Sequence, residues 1–154
     1  MPAVSTDRIE KKVFLRAPRS RVWRALTNDR EFGTWFGVEL KGTFQPGARL
    51  KGRITHKGYE HLTMDVTVDK MEPERMVSWR WHPNAIDSRL DYASEPTTLV
   101  VFELEEVEGG TMLTVVESGF DRIPVERRAE AYRGNDEGWA VQVESIKRHV
   151  TTTP

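Results

Sequence analysis

The sequence predicts an α+β domain in which a curved antiparallel sheet wraps around a long C-terminal helix. The first observation is the order of the predicted elements: a strand, two short helices, about six consecutive strands and a final helix. The second is that short turns join these strands. Two parallel strands would need a crossover of about a dozen residues or more, so the strands are expected to pair antiparallel. The third is an apolar stripe on the final helix at helical spacing: Trp139, Val143, Ile146 and Val150. Without a linker or repeat, the 154 residues predict one domain over 1–154, with a core of about 8–150.

The first 37 residues predict a strand followed by two helices. The predicted ranges are a strand over 8–16 and helices over about 18–27 and 29–36. Pro18 favours the first helix start, because a missing N–H costs nothing at the first helical position. Asn28 or Asp29 is expected to cap the second helix, and Gly37 is expected to end it.

The rest of the chain predicts strands and then one helix. The predicted strands cover 38–41, 49–55, 61–70, 76–82, 97–105 and 111–117. In 61–70 apolar residues alternate with polar ones, which is typical of a strand with one buried face. The last helix is predicted over about 136–150, with Asn135 or Asp136 as its cap.

Composition excludes several classes of function. The net charge is −1 with both signs interspersed, so no basic excess favours nucleic acid. No apolar run approaches the ~18 residues of a membrane span, and no hydrophobic signal core precedes the first strand, so we expect a cytoplasmic protein. The absence of cysteine excludes disulfides, thiolate metal sites and a cysteine nucleophile.

No motif for catalysis or for metal binding stands out. His56 and His61 are five positions apart, a spacing that suits neither a helical pair nor one face of a strand. No G-x-S-x-G, phosphate-binding loop or G-x-G-x-x-G pattern occurs. We therefore expect no metal, no cofactor and no assigned catalytic residue.

Four blocks of the sequence carry a family resemblance. They are 21–37, with the pattern V-W-x-x-L-T…W-F-G, and then 74–81, 111–120 and 137–139. In this order they closely resemble the SRPBCC (START-like) superfamily, in particular its branch named after the activator of the heat-shock protein 90 ATPase. The resemblance covers about residues 8–150. It implies the helix-grip fold, in which about six to seven antiparallel strands curve around the last helix.

The resemblance also implies where a ligand would bind. In this superfamily the space between the sheet and the last helix often holds an apolar molecule. The expected ligand contacts are Trp35, Phe36, Trp79, Trp81, Tyr92, Phe120, Trp139 and Val143. The same aromatic side chains could instead simply fill the core, because each tryptophan buries well over ~150 Å². Side chains alternate between the two faces of a strand, and Arg80 and His82 alternate with Trp79 and Trp81. We therefore expect the two polar residues not to face the same cavity as the two tryptophans.

The segment 83–96 is long for a connection between strands. It is either a movable cover over the cavity mouth, formed with Ile86, Leu90 and Tyr92, or a solvated loop.

Three functions remain open from the sequence. The first is a binding module for a small apolar or amphipathic molecule, as a monomer or weak dimer. The second is an enzyme of the cyclase, aromatase or hydrolase type. Its acid/base group would come from a set of four residues, namely His61, Asp65, His82 and Glu117. The third, taken from the family's name, is an interaction protein that regulates a chaperone.

Overall fold

The computed structural model describes residues 7–83 and 92–152. These residues form an antiparallel sheet of seven strands, a pair of short helices and a long final helix. The elements are β1 (Arg8–Leu15), α1 (Arg19–Thr27), α2 (Asp29–Phe36), β2 (Val38–Lys41), β3 (Arg49–Ile54), β4 (Thr63–Glu72), β5 (Met76–Trp81), β6 (Thr98–Val107), β7 (Gly110–Ser118), a 3-10 helix (Phe120–Arg122) and α3 (Val125–Thr152). The predicted α+β helix-grip fold is confirmed.

The strand order explains how the sheet holds α3. The order is β1-β7-β6-β5-β4-β3-β2, so each strand from β2 to β7 pairs with its neighbour in sequence. β1 is the exception, because it pairs with β7, from Arg8 opposite Ser118 to Leu15 opposite Thr111. The chain must then reach the opposite edge of the sheet before β2 begins. It does so through α1 and α2, and both helices contact α3.

The core lies between the sheet and α3. The predicted stripe of Trp139, Val143, Ile146 and Val150 is buried along its whole length. On β7 the inward positions alternate with partly exposed ones, as expected for a sheet with one covered face. None of the helices among the described residues is long and apolar enough to cross a membrane.

The final helix begins well before the predicted position. It starts at Val125 instead of 136, and both proposed caps, Asn135 and Asp136, lie inside it. Asn135 is buried and hydrogen-bonded to Glu117, so its side chain does not cap a helix end. Ala131, one turn earlier, is also fully buried. Tertiary packing of this earlier part of the helix overrides the weak helix propensity of the glycine and asparagine that follow.

The boundaries of the other elements agree with the sequence to within two residues. Of the two proposed caps for α2, Asn28 is confirmed, because its side chain accepts a 3.0 Å hydrogen bond from the Glu31 N–H. Gly37 ends α2 in the left-handed region, with φ 91°, as predicted. β4 starts at Thr63 instead of 61, because Leu62 still donates a backbone hydrogen bond within a turn, to the Tyr59 carbonyl.

Candidate functional site

Two neighbouring cavities are lined by residues of α2, of the sheet and of α3. Their volumes are about 280 Å³ and about 90 Å³, and both are lined by Phe36, Trp81 and Asn135. The larger cavity is also lined by Ile54, Tyr59, Leu62, Thr63, Met64, Asp65, His82 and Tyr92. The smaller one is also lined by Gly138, Trp139 and Gln142. Because they share three lining residues, we treat the two as one site with a wide and a narrow part.

A buried carboxylate lies behind the wall that the two cavities share. Glu117 is 0 % exposed and has the same inward parity on β7 as Leu113 and Val115. Its carboxylate accepts five hydrogen bonds from four side chains. The donors are Trp81 Nε1 at 2.7 Å, Thr98 Oγ1 at 2.6 Å, Asn135 Nδ2 at 2.9 and 3.0 Å, and Trp139 Nε1 at 2.8 Å.

The chemistry of these groups is mutually consistent. An indole N–H and an amide NH₂ only donate, and an ionised carboxylate only accepts. The bonds compensate for removing the carboxylate from water, a removal that is costly for an unpaired polar group. Trp81, Asn135 and Trp139 each line a cavity and each bind Glu117. One buried group therefore sets the orientation of three wall residues.

The four acid/base candidates occupy different places. Glu117 is not a lining residue, because its donors stand between it and the cavity. His61 is exposed and also lies outside both linings. Asp65 lines the larger cavity and is paired with Arg49 at 2.6 Å. The hydrogen bond from Arg49 lowers the pKa of Asp65, and both oxygens of Asp65 accept hydrogen bonds from this arginine.

The expectation that His82 faces away from the cavity of Trp81 is wrong. β5 ends at Trp81, and both residues line the larger cavity. Alternation of side chains holds only within a regular strand, so the parity of β5 does not extend to His82. Its Nε2 atom lies 3.0 Å from the backbone carbonyl oxygen of Glu95.

The structure divides the eight expected ligand contacts into two sets. Four line the cavities: Phe36, Trp81, Tyr92 and Trp139. Four are buried in the core away from both linings: Trp35, Trp79, Phe120 and Val143. The Trp35 indole, for example, donates to the Ala25 carbonyl at 2.8 Å. The aromatic residues thus fill the core at one end and border the open space at the other.

The sequence interpretation missed several lining residues. Tyr59 lies in the connection between β3 and β4, where no periodic pattern marks an inward side chain, whereas the alternation over 61–70 already marked Leu62 as inward-facing. The local sequence favours Asn135 or Asp136 as a helix cap. Asn135 precedes Trp139 by four positions, so in a continuous helix the two side chains lie on the same face of α3. This spacing identifies Asn135 as a site residue only if the helix is known to begin before it.

An arginine in the first turn of α3 holds the chain on both sides of residues 84–91. The Arg127 guanidinium donates to Glu95 Oε1 at 2.8 and 3.0 Å and to the Pro83 carbonyl at 3.0 Å. It also lies 4.6 Å from the centre of the Tyr92 ring. Of the expected cover, Ile86 and Leu90 lie outside the described residues, whereas Tyr92 lines the larger cavity.

Within 7–83 and 92–152, no group of three or more histidine or acidic side chains is arranged to hold a metal ion.

Comparisons with known proteins agree with the observed fold. The family model for activator of Hsp90 ATPase homolog 1-like proteins matches residues 16–151. Among solved structures, protein MLL2253 from Mesorhizobium loti is similar, with TM-score 0.74 and 24 % identity over 96 % of this chain and 98 % of that one. The Aha1 dimer from Colwellia psychrerythraea has TM-score 0.68 and 22 % identity, over 93 % and 95 %.

DynU16, a protein from the dynemicin biosynthetic locus, has TM-score 0.72 and 26 % identity. The similarity covers 95 % of this chain but 48 % of DynU16, so this chain corresponds to about half of that protein. A comparison with curated protein sequences finds no match.

Proposed function

Because this chain belongs to the family of activator of Hsp90 ATPase homolog 1-like proteins, we propose that it binds a small apolar or amphipathic molecule between the sheet and α3. The observation that carries the proposal is an aromatic cavity wall held by a buried carboxylate. Small-molecule sites are mostly apolar, with a few fixed polar groups, and their volumes start at about 300 Å³. The larger cavity, about 280 Å³, suits a compact ligand such as a fused two-ring compound.

The rigidity of the wall supports binding. Trp81 and Trp139 are each fixed by a hydrogen bond to Glu117, so a ligand need not immobilise them when it binds. A ligand that buries ~200 Å² of apolar surface gains about 5 kcal/mol before the cost of association. We therefore expect modest affinity, which polar contacts increase.

A second candidate function is enzymatic, on the observation that Asp65 and His82 both line the larger cavity. Either could exchange a proton with a bound substrate, as in a cyclase, aromatase or hydrolase. Incubating the protein with its ligand and measuring the ligand mass distinguishes the two functions. An unchanged mass supports binding alone, and a changed mass supports catalysis. The chaperone role, the monomer or weak dimer and the cytoplasmic location stay predictions.

The proposal is tested first by native mass spectrometry of protein purified without refolding, which would detect a molecule that co-purifies. The second test is tryptophan fluorescence during titration with lipids, flavonoids and polyketides. Trp81 lines both cavities, so Trp81→Phe is expected to remove much of the response. Trp23→Phe is the matched control, because Trp23 lies on α1 outside both linings. A panel that changes neither the emission nor the melting temperature would contradict ligand binding.

A further inference from the structure

The orientation of the Asn135 amide follows from the chemistry of its neighbour. Its Nδ2 atom lies 2.9 Å and 3.0 Å from the two carboxylate oxygens of Glu117. Each of these oxygens also accepts from an indole N–H, so both act as acceptors, and the amide nitrogen of Asn135, not its oxygen, faces Glu117. The Asn135 carbonyl oxygen therefore points away from the carboxylate.

That oxygen faces open space. Among residues 7–83 and 92–152 it accepts no hydrogen bond, and no fully buried side-chain oxygen or nitrogen there lacks a partner. The oxygen is therefore not fully buried, although Asn135 as a whole is only 9 % exposed. Asn135 lines both cavities, so the space that its oxygen reaches is the candidate site.

From this geometry we infer that Asn135 is a specificity-determining residue, and that the ligand carries a hydroxyl or N–H donor on a flat apolar body. The inference rests on the proposed function and deepens it. The Asn135 oxygen accepts the ligand's hydrogen bond, and Glu117 is the positioning residue that keeps it turned toward the ligand. A ligand without a donor leaves this oxygen desolvated and unpaired beside Phe36 and Trp81, which weakens its binding.

The lining also contains tyrosine and threonine residues, whose hydroxyls can donate or accept, but its indole and imidazole groups favour a ligand that donates. The Trp81 and Trp139 indole N–H groups are occupied by Glu117, so neither is left to donate to a ligand. His82 Nε2 faces a backbone carbonyl, which only accepts, so this N–H is occupied as well.

The test compares two probes of nearly equal shape, 2-naphthol and 2-methoxynaphthalene, by isothermal titration calorimetry. The first has a hydroxyl donor and the second has only an ether acceptor. We expect the wild-type protein to prefer 2-naphthol about tenfold, which corresponds to one net hydrogen bond. In Asn135→Leu the ratio of the two dissociation constants should fall to about one. Gln45→Leu, the same amide-to-leucine change at an exposed position outside both linings, should keep the wild-type ratio.

A second variant keeps the inference testable if Asn135→Leu does not fold. In Glu117→Gln the new amide NH₂ cannot donate to the indoles, and its acceptors are the Thr98 hydroxyl and the Asn135 oxygen. We expect Asn135 to turn over and present its NH₂ to the cavity, so that the preference for 2-naphthol is lost or reversed. The Asn135 side-chain signal in a ¹H–¹⁵N spectrum should shift as its donor loses the carboxylate.

The outcomes distinguish a failure of the inference about Asn135 from a failure of ligand binding. If neither probe binds to the wild-type protein, the proposed function fails, and the inference fails with it. If both probes bind with equal affinity, or if Asn135→Leu weakens both and keeps the ratio, the inference is overturned and ligand binding stands.

Discussion

Trp139 in α3 donates a 2.8 Å hydrogen bond from its indole nitrogen to Oε1 of Glu117 in β7. The bond joins α3 to the inward face of the sheet, and both residues are buried. The same carboxylate binds Trp81 at the end of β5 and Thr98 at the start of β6, so one group connects three strands and the helix around the cavity. Stability and the shape of the site therefore depend on the same contacts.

Two substitutions of Trp139 should destabilise the protein by different amounts. Trp139→Ala removes the buried ring and should lower the free energy of unfolding by roughly 3–5 kcal/mol. Trp139→Phe keeps most of the ring, so we expect a loss of about 1.5–3 kcal/mol from the missing bond to the carboxylate. Urea denaturation measures both. Val141→Ala, at an exposed position of α3, should change the value by less than about 0.5 kcal/mol, and an unchanged midpoint for Trp139→Ala would contradict the buried contact.

Glu117→Leu should cost about 3–5 kcal/mol, because it leaves several buried donors without an acceptor. Glu103→Leu is the matched control, since Glu103 is exposed on β6. Calorimetric melting of both variants checks the difference. Equal melting temperatures for the two variants would show that the hydrogen bonds to Glu117 do not stabilise the fold.

The ion cluster around Glu31 should make stability depend on pH. Burial raises the pKa of Glu31, but hydrogen bonds from His149, Arg21 and Arg24 outweigh it and lower the pKa below its ordinary 4.5. A carboxyl whose pKa is lower in the folded state stabilises the protein above the unfolded-state pKa. That stabilisation is lost as the pH falls through the folded-state pKa.

The measurement is the free energy of unfolding from about pH 6 to about pH 3 in the wild type and in Glu31→Gln. The wild type should lose more stability than the variant below pH 4.5. Asp65 titrates in the same direction, so the difference between the two curves isolates Glu31. Parallel curves across the whole range would rule out the Glu31 contribution.

Two glycines should respond to alanine in opposite directions. A Cβ at Gly138 in α3 meets no heavy atom within 4 Å, so Gly138→Ala should stabilise the helix by about 0.5–1 kcal/mol. A Cβ at Gly33 in α2 would lie 2.2 Å from the Val38 carbonyl oxygen, so Gly33→Ala should destabilise the protein. Melting temperatures of the pair give the test. A lower melting temperature for Gly138→Ala would indicate a contact that the geometry does not contain.

Local patterns in the sequence determined much of the fold. The cap at Asn28, the end of α2 at Gly37 and the alternation in β4 depend on residues close together in the chain. Steric and hydrogen-bonding preferences of a few neighbouring residues decide such features. The apolar stripe of α3 likewise shows which helix face is buried, because its period is a property of the helix alone.

Tertiary structure alone decided the start of α3 and the composition of the site. Asn135 resembles a helix cap locally, but Glu117, 18 residues earlier in the chain, holds it inside a continuous helix. Trp79 and Trp81 share one strand face, yet only Trp81 borders the cavities, whereas Trp79 is fully buried. A sequence pattern identifies a buried face. Whether a side chain on that face meets another side chain or open space depends on the distance between elements that are far apart in the chain.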